Sequence, residues 1–314
     1  MSLKYNQTNN NVFAHTYSIV ARDPQTGEMG VGVQSHWFSV GSVVSWGEAG
    51  IGVVATQSFV NKSFGLRGLD LLKKGKTPQE AIEILLSDDE GRDVRQVSIL
   101  DTQGRVATHT GSKCIKHAGH KLGNNFSVQA NLMLSDKVWP VMAEVYEKSE
   151  NLPLPERIIK SLEAAESVGG DMRGKQSAAL LIVAGESTEN KWEDPLIDLR
   201  VEDHIEPLKE LNRLLKVYRA YEHTNNGDLA LEKGDIDIAF KEYDTAQKML
   251  PENLELKFWV AVSLANQKRM NEAIELFKEV FKEDRNWRIL TERLPHSELL
   301  DLNNDELKQI LSLE

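Results

Sequence analysis

Residues 16–35 read TYSIVARDPQTGEMGVGVQS, and this stretch decides the fold. β-Branched and aromatic residues over 16–21 predict a strand, the DPQTG at 23–27 predicts a tight turn, and apolar residues alternating with glycine over 29–33 predict a returning strand. The first strand opens on Thr16. A threonine in that position can act as a nucleophile if its own α-amine is freed to serve as the base.

The composition and charge exclude several classes of function. A chain of 314 residues is long enough for two domains, and its one cysteine, Cys114, leaves no intramolecular disulfide. The formal net charge of −11 disfavours nucleic-acid binding, which requires a basic surface. Since no apolar run approaches the length of a membrane span, we expect neither a nucleic acid nor a membrane as partner.

The first 14 residues bear on the compartment. They are polar and rich in asparagine, and they lack the apolar segment of a signal peptide. We therefore expect a cytoplasmic protein, while a periplasmic or secreted location stays open if a signal peptide has been removed.

The residues from about 40 to 205 predict a regular alternation of strands and helices. A second hairpin over 43–56 is followed by a helix over 61–74 and by a helix that begins at the capping box Thr77-Pro78-Gln79-Glu80. Beyond them we expect a hairpin over 96–110, helices over about 137–148 and 155–168, and strands over 177–184 and 196–201. Hairpins on both sides of a helix pair indicate two antiparallel sheets with helices packed outside, a four-layer α+β architecture.

From about residue 206 the chain is helical and contains a repeat. A shift of 34 residues places Ala273 on Ala239 and Phe277 on Tyr243, the small and aromatic positions at which helices of a tetratricopeptide repeat pack closely. Two copies are fewer than such repeats usually need, so we expect them to stack on a helix over 205–221 and on the segment 297–313.

The helical tail is the acidic part of the chain. Residues 221–314 hold 20 acidic and 12 basic residues, a net charge of −8. Two interpretations stay open: the tail either caps the first domain or offers a docking surface for a peptide. In the second case, its charge favours a basic partner segment.

Two further segments place polar residues at strand ends. Ala55-Thr56-Gln57 ends a strand just before a helix, where backbone N–H groups can hold an oxyanion. The loop over 170–176 is polar, begins with glycine and leads into the apolar strand predicted at 177. Polar residues at the mouth of an apolar strand often line a site, although such loops can also be plain turns.

Together these segments resemble a bacterial domain family that has no assigned function and is placed in the N-terminal-nucleophile (Ntn) hydrolase superfamily. The resemblance covers about residues 16–215 and rests on these motifs: TYSIVARDP at 16–24 with TG at 26–27, ATQ at 55–57, GLRGL at 65–69, RQV at 95–97, DxRGxQSA at 171–178 and DLRVxDH at 198–204. It implies an α+β fold, a four-layer αββα Ntn-hydrolase-like sandwich over 16–205. A leader or pro-segment at 1–15 precedes it, and a small all-α tetratricopeptide-like domain at 206–314 follows.

The superfamily resemblance also implies roles for individual residues. In proteasome-type Ntn subunits the strand-opening threonine is the nucleophile, which corresponds to Thr16 here. Asp171 takes the place of the aspartate that orients the nucleophile and its amine, and the oxyanion N–H comes from Gln57 or Ser58. That group also has an early-strand lysine, whereas residues 40–44 contain none. The freed α-amine, with an ordinary pKa of about 7.7–8.0, is then the only obvious base.

The resemblance implies hydrolysis of a C–N amide bond in a small amide or peptide-like substrate, by analogy with the superfamily. The residues expected to line the substrate site are Gln34, Ser35, Arg173, Gly174 and Ser177. Ntn domains often pair through exposed elements, so we also expect a homo-oligomer. A second hypothesis is a catalytically silent Ntn scaffold that binds a ligand or partner protein through its cleft and helical tail.

Other interpretations of the chemistry-bearing residues stay open. Thr16 can be an ordinary strand residue, and Ser18, two positions along the strand and so on the same face, is a rival nucleophile. Cys114 has only His117 nearby as an activating base. The closely spaced histidines 109, 117 and 120 lack an acidic partner and metal-ligand spacing, so we expect no metal and no cofactor.

Overall fold

The computed structural model describes residues 12–188 and 190–313. The chain divides into two compact units, Met1–Leu215 and Lys216–Glu314. The division lies inside one long helix, a little beyond residue 205, where we expected the first domain to end.

Two antiparallel sheets make up the first unit. The strands are β1 (Val12–Ala14), β2 (Thr16–Arg22), β3 (Met29–Ser35), β4 (Ser45–Glu48), β5 (Gly52–Val60), β6 (Arg95–Asp101), β7 (Val106–Thr110), β8 (Gly119–Gly123), β9 (Phe126–Ala130), β10 (Ser177–Val183) and β11 (Pro195–Val201). One sheet has the order β1-β5-β6-β7, with β4 also paired to β5, and the other has the order β11-β10-β3-β2-β9-β8.

Helices pack against both sheets. They are α1 (Gly41–Val44), α2 (Ser63–Lys73), α3 (Pro78–Ser87), α4 (Val138–Lys148) and α5 (Leu154–Ser167). α2 contacts β4, β5 and β6, and α3 contacts β6 and β7. On the other sheet, α4 contacts β8 and β9, while α5 contacts β2, β3 and β10. The prediction of a mixed α+β fold with two antiparallel sheets is therefore confirmed.

The opening hairpin shows why its sequence alternates. Its apolar residues Met29, Val31 and Val33 are fully buried in the cluster between the sheets. The glycines face the helices instead: a Cβ on Gly32 would lie 2.2 Å from Cγ2 of Ile158 in α5. Glycine on this face lets α5 lie closer to β3 than a side chain would allow.

Three parts of the first unit differ from the sequence predictions. Residues 12–14, which we assigned to the leader, form β1. The β8–β9 hairpin was not predicted, because GHKLG has few of the β-branched residues that mark a strand. Val43 lies in α1 rather than in a strand, since Ser39, with a φ of 56°, turns the chain just before it.

The predicted start of α3 is confirmed in detail. The Thr77 hydroxyl accepts the backbone N–H of Glu80, and the Glu80 carboxylate accepts the backbone N–H of Thr77 over 2.8 Å. Both N–H groups lack an intrahelical partner, so this reciprocal pair fixes where the helix begins.

The second unit is helical. Its helices are the C-terminal part of α6 (Pro207–Glu232), followed by α7 (Ile236–Met249), α8 (Leu254–Asn266), α9 (Met270–Glu283), α10 (Asn286–Arg293) and α11 (Asn304–Leu311). α6 is longer than the helix that we predicted to end near residue 221. Leu300 and Ile310 belong to the core of this unit, so the segment 297–313 packs on the preceding helices as expected.

Close packing of small and aromatic residues holds this unit together. Ala239 and Ala273 are fully buried, and so is Phe277. Gly227 lies against Tyr243: a Cβ at Gly227 would be 2.4 Å from Cε1 of the tyrosine ring. The predicted placement of both aromatic side chains in the core is confirmed.

Truncating Phe277 should destabilise the second unit. Its ring is fully buried against Phe258 and Phe281, so Phe277→Ala is expected to lower the free energy of unfolding by about 3–5 kcal/mol. Ile289→Ala, at a side chain that is 47% exposed, is the control and should change it by less than about 1 kcal/mol. Urea unfolding of the full chain measures both, and similar values for the two variants would contradict the prediction.

The first unit should fold without the second. Its buried α6 residues, Leu208, Leu211 and Leu215, all precede the division, so a chain ending at residue 220 keeps them. Circular dichroism should show a folded mixed α and β spectrum with a cooperative thermal transition. An unfolded spectrum from the truncated chain would show that the two-unit division is wrong.

Candidate functional site

The chain crosses from one sheet to the other at His15. β1 pairs with β5, with Ala14 opposite Ser58, while β2 begins one residue after His15 with Thr16 opposite Ser35. Thr16 is fully buried, and its Oγ1 donates to the carbonyl oxygen of Ala14 over 2.9 Å. The peptide bond before Thr16 therefore lies at the junction of the two sheets.

Two donors converge on the carbonyl oxygen of His15. Nη2 of Arg173 donates to it over 2.7 Å, and Oγ of Ser35 donates to it over 2.6 Å. A charged and a neutral donor on one carbonyl oxygen polarise that carbonyl and stabilise negative charge on the oxygen. The polarised bond is the one that joins His15 to Thr16.

Asp171 holds the guanidinium of Arg173 in place. Nε of Arg173 donates to Oδ1 over 3.0 Å and Nη2 donates to Oδ2 over 2.7 Å, a two-point contact that fixes the plane of the guanidinium. The same carboxylate accepts the backbone N–H groups of Arg173 and His36. Its side chain is fully buried, so it positions the arginine from inside the protein.

A network of buried amide side chains surrounds the start of β2. Nε2 of Gln57 donates to the backbone oxygen of Thr16 over 3.2 Å and to Oε1 of Gln96 over 2.7 Å. Oγ of Ser18 donates to Oε1 of Gln57 over 2.6 Å and accepts from Nε2 of Gln129 over 2.6 Å. Ser18, the rival nucleophile, is thus held by two amides, and Gln57 reaches Thr16 with its side chain.

The imidazole of His15 belongs to the same network. Its Nδ1 lies 2.7 Å from Oδ1 of Asn131, whose Nδ2 donates to Oε1 of Gln96 over 2.9 Å. Burial lowers the pKa of His15 below 6.5, and the positive charge of Arg173 adds to this effect while the hydrogen bond to Asn131 opposes it. The imidazole of His15 is therefore neutral near neutral pH.

Ser58 adds backbone strain beside the site. It is a fully buried, non-glycine residue of β5 with a φ of 71°, in the left-handed region. Such a conformation costs about 1–3 kcal/mol unless its surroundings compensate for it, and strain of this kind is concentrated at functional sites.

The structure brings together only some of the residues predicted to line a site. Ser35 and Arg173 meet at the His15 carbonyl, and Gly174, with a φ of 110°, closes the preceding turn by donating its N–H to the carbonyl of Asp171 over 3.0 Å. Ser177 instead donates to the carbonyl of Trp37 and accepts the N–H of Val40, which fixes the chain after β3.

Gln34 lies on the other face of its sheet. It is paired in register with Tyr17, whose hydroxyl donates to Glu166 of α5 over 2.6 Å, so both side chains are on the helix side of the sheet. Thr16 and Ser35 are on the face toward the other sheet. Because side chains along a strand point alternately to its two faces, the sequence alone could have placed Gln34 and Ser35 on opposite faces of β3.

Sequence reasoning missed His15 and the amides Gln96, Gln129 and Asn131. A signal for the last two was present, because Ser127, Gln129 and Asn131 alternate in a stretch that forms β9 and its end. Three polar residues on one face of a buried strand indicate a polar network within the core.

Of the remaining candidates, His120 lies at the edge of the amide network, because the Thr110 hydroxyl that it contacts also accepts Nε2 of Gln96. His120 contacts Thr110 through Nδ1, and His109 contacts the backbone oxygen of Arg92 through Nε2. Within residues 12–188 and 190–313, no three histidine, cysteine or acidic side chains form a group that could hold a metal ion. Burial raises the pKa of the Cys114 thiol, which disfavours the nucleophilic thiolate.

The chain belongs to a family of unknown function, DUF1028, whose model matches residues 16–211. The crystal structure of protein SPO2555 from Silicibacter pomeroyi, of the same family, is similar to this chain with a TM-score of 0.58 and 28% sequence identity. The similarity covers 65% of this chain and 88% of that one. No curated protein matches the chain. In the part of the chain that the structure describes, none of the helices is long and apolar enough to cross a membrane.

His15 should make the stability of the first unit depend on pH. The unfolded chain gains a proton on His15 as the pH falls through about 6.5, whereas the folded chain gains it only at lower pH, because burial lowers the folded pKa. The free energy of unfolding should therefore decrease from about pH 6.5 down to the folded pKa of His15.

The difference in free energy of unfolding between about pH 7.5 and about pH 5.5 measures this effect. His15→Asn should reduce that difference, since asparagine does not titrate. His120, whose pKa burial also lowers, contributes in the same direction, so His120→Asn should reduce it independently. An unchanged difference in His15→Asn would contradict the assignment of a neutral, buried imidazole.

Proposed function

We propose that this protein is a self-processing Ntn-type amidohydrolase. In this proposal the first unit is a four-layer αββα Ntn sandwich, the second is a tetratricopeptide-like domain, and Thr16 is the nucleophile. The observation that carries the proposal is the double hydrogen bond from Arg173 and Ser35 to the His15 carbonyl oxygen. It polarises the peptide bond that must break to free the α-amine of Thr16.

The first step is cleavage of the chain's own His15–Thr16 bond. Oγ1 of Thr16 attacks the carbonyl carbon of His15, and Arg173 and Ser35 hold the oxygen as it becomes negative. The C–N bond then breaks, and the hydroxyl proton ends on the leaving nitrogen, which becomes the free amine. Water hydrolyses the resulting ester and leaves a carboxylate on His15 and a free Thr16 amino terminus.

The second reaction uses the freed amine as the base. The Thr16 α-amine, with an ordinary pKa of about 7.7–8.0, accepts the hydroxyl proton while Oγ1 attacks the substrate amide. The substrate C–N bond then breaks, and the amine passes the proton to the leaving nitrogen. Water hydrolyses the Thr16 ester, which releases a carboxylate and restores the hydroxyl. The nearby positive charge of Arg173 disfavours the protonated amine and so keeps it available as a base. Arg173 thus supplies the positive charge for which proteasome-type subunits use a lysine.

The supporting residues have positioning roles in this proposal. Asp171 fixes the guanidinium of Arg173, and the side chain of Gln57 holds the backbone oxygen of Thr16. Substrate is a small amide or peptide-like molecule whose C–N bond enters between Thr16 and Arg173. Ser35 and Gly174 border that position, whereas Gln34, on the other face of the sheet, has no part in it.

A second candidate is a silent Ntn scaffold that binds a ligand or a partner protein. Its supporting observation is that β1 pairs with β5 directly before a fully buried Thr16, whose nitrogen is a peptide nitrogen in this form. In that case recognition falls to the cleft and to the tail, whose net charge of −8 favours a basic partner segment.

Mass spectrometry of the purified chain during incubation tests the two candidates. Self-processing predicts a product that begins at Thr16, and Thr16→Ala should abolish it. Arg173→Gln should slow its formation about a hundredfold or more, the usual effect of losing one oxyanion donor. The matched control is Arg200→Gln, at an exposed arginine of β11 that pairs with Asp198, and it should process at the wild-type rate.

The outcomes separate the candidates cleanly. A chain that never yields a Thr16 terminus favours the silent scaffold. Processing that continues in Thr16→Ala would show that the nucleophile is a different group. If processing occurs, the trimmed protein should hydrolyse a small amide in a screen, and the Thr16→Ala chain should not.

A further inference from the structure

A cavity of about 910 Å³ opens at the end of the first unit that lies away from Thr16. β2 connects the two places, since it begins at Thr16 and ends at Arg22, which lines the cavity. Six residue steps of strand at about 3.3 Å each separate them by about 20 Å. The cavity is therefore distinct from the site at the His15–Thr16 bond.

Hairpin turns packed backbone to backbone form the wall of this cavity. A Cβ on Gly185 would lie 2.7 Å from the carbonyl oxygen of Gly27, and a Cβ on Gly50 would lie 2.8 Å from the nitrogen of Ser187. The N–H of Gly50 also donates to the carbonyl of Ala184 over 3.2 Å. These contacts pack the connections against one another and so shape the wall of the cavity.

Arg22 brings an unpaired positive charge to the cavity. The side chain is half-buried, its Nε is buried without a partner, and its guanidinium makes no hydrogen bond or ion pair with any residue that the structure describes. The neighbouring Asp23 is already engaged, because its Oδ1 accepts the N–H groups of Gln25 and Thr26. A planar guanidinium in this state matches the two oxygens of a carboxylate.

The other charges at the cavity limit what can bind there. Glu186 also lines it, so a ligand with several negative charges would be repelled. A neighbouring cavity of about 840 Å³ shares Arg22 and is lined by Glu147, Glu150 and Arg157. The guanidinium of Arg157 lies over the Tyr146 ring, 3.8 Å from its centroid, and its Nε donates to the Tyr146 carbonyl.

We propose that the larger cavity binds a small zwitterion, an amino acid or a short peptide. Its carboxylate pairs with the terminal Nη atoms of the Arg22 guanidinium, and its ammonium group lies toward the carboxylate of Glu186. This arrangement uses both signs of charge on the cavity wall. The proposal does not depend on the reaction at Thr16.

Isothermal titration calorimetry on the full chain with three probes tests this. Glycylglycine carries both charges, N-acetylglycylglycine keeps only the carboxylate, and ethylamine keeps only the ammonium group. Glycylglycine should bind tightest, a few-fold more tightly than its acetylated form, because an exposed ion pair contributes little. Ethylamine should not bind measurably, since it offers nothing to Arg22.

Substitutions of Arg22 test whether this residue binds glycylglycine. Arg22→Gln should weaken glycylglycine binding tenfold or more, and Arg22→Lys, which keeps the charge but loses the planar fork, should weaken it less. The matched control is Arg200→Gln, at an exposed arginine of the same sheet outside the cavity, and it should bind as the wild type does. Thr16→Ala should also bind normally, which separates this site from the proposed catalytic one.

Several results would overturn the proposal. They are no heat of binding from glycylglycine in the wild type, equal affinity in Arg22→Gln, or tighter binding of the acetylated probe. Because the Arg22 side chain makes no hydrogen bond to the described residues, the variants should fold, which circular dichroism checks. If Arg22→Gln did not fold, Arg22→Lys and the comparison of probes on the wild type would still decide the question.

Discussion

The layer of buried amides between the two sheets is the constraint on which the first unit depends. Gln57, Gln96, Gln129 and Asn131 are fully buried. The amides of Gln57 and Asn131 both donate to Gln96, Gln57 also donates to the backbone oxygen of Thr16, and the Ser18 hydroxyl joins Gln129 to Gln57. A buried amide without a partner costs about 1–3 kcal/mol, so each member needs the others in position. The network therefore fixes how β5, β6, β9 and the start of β2 lie relative to one another, which an apolar core alone would specify less sharply.

The crossing at His15 depends on that fixed arrangement. The chain leaves β1 in one sheet and enters β2 in the other within a single residue, and the peptide groups at such a junction cannot all join a ladder. Arg173 and Ser35 donate hydrogen bonds to the His15 carbonyl, and Gln57 donates one to the Thr16 carbonyl. The hydrogen bonds that give the His15 carbonyl its partners are thus the same ones that polarise the His15–Thr16 bond.

Much of the fold was accessible from the sequence, and much of the site was not. The β2–β3 hairpin and the start of α3 were predictable because their signals are local: alternation, turn residues and a capping box. The contact between Arg173 and His15 joins residues 158 positions apart, and no local pattern encodes it. β1 was missed for a similar reason, since a three-residue strand exists only because β5 is there to pair with it.

The two ends of β2 differ in whether their polar groups have hydrogen-bond partners. At Thr16 the hydroxyl, the backbone oxygen and the neighbouring carbonyl all have partners, and the arginine nearby is held by a buried carboxylate. At Arg22 the guanidinium has none among the described residues, and turns in close backbone contact line the same cavity. A half-buried guanidinium that no described residue engages is therefore a group with which a carboxylate from outside the chain can pair.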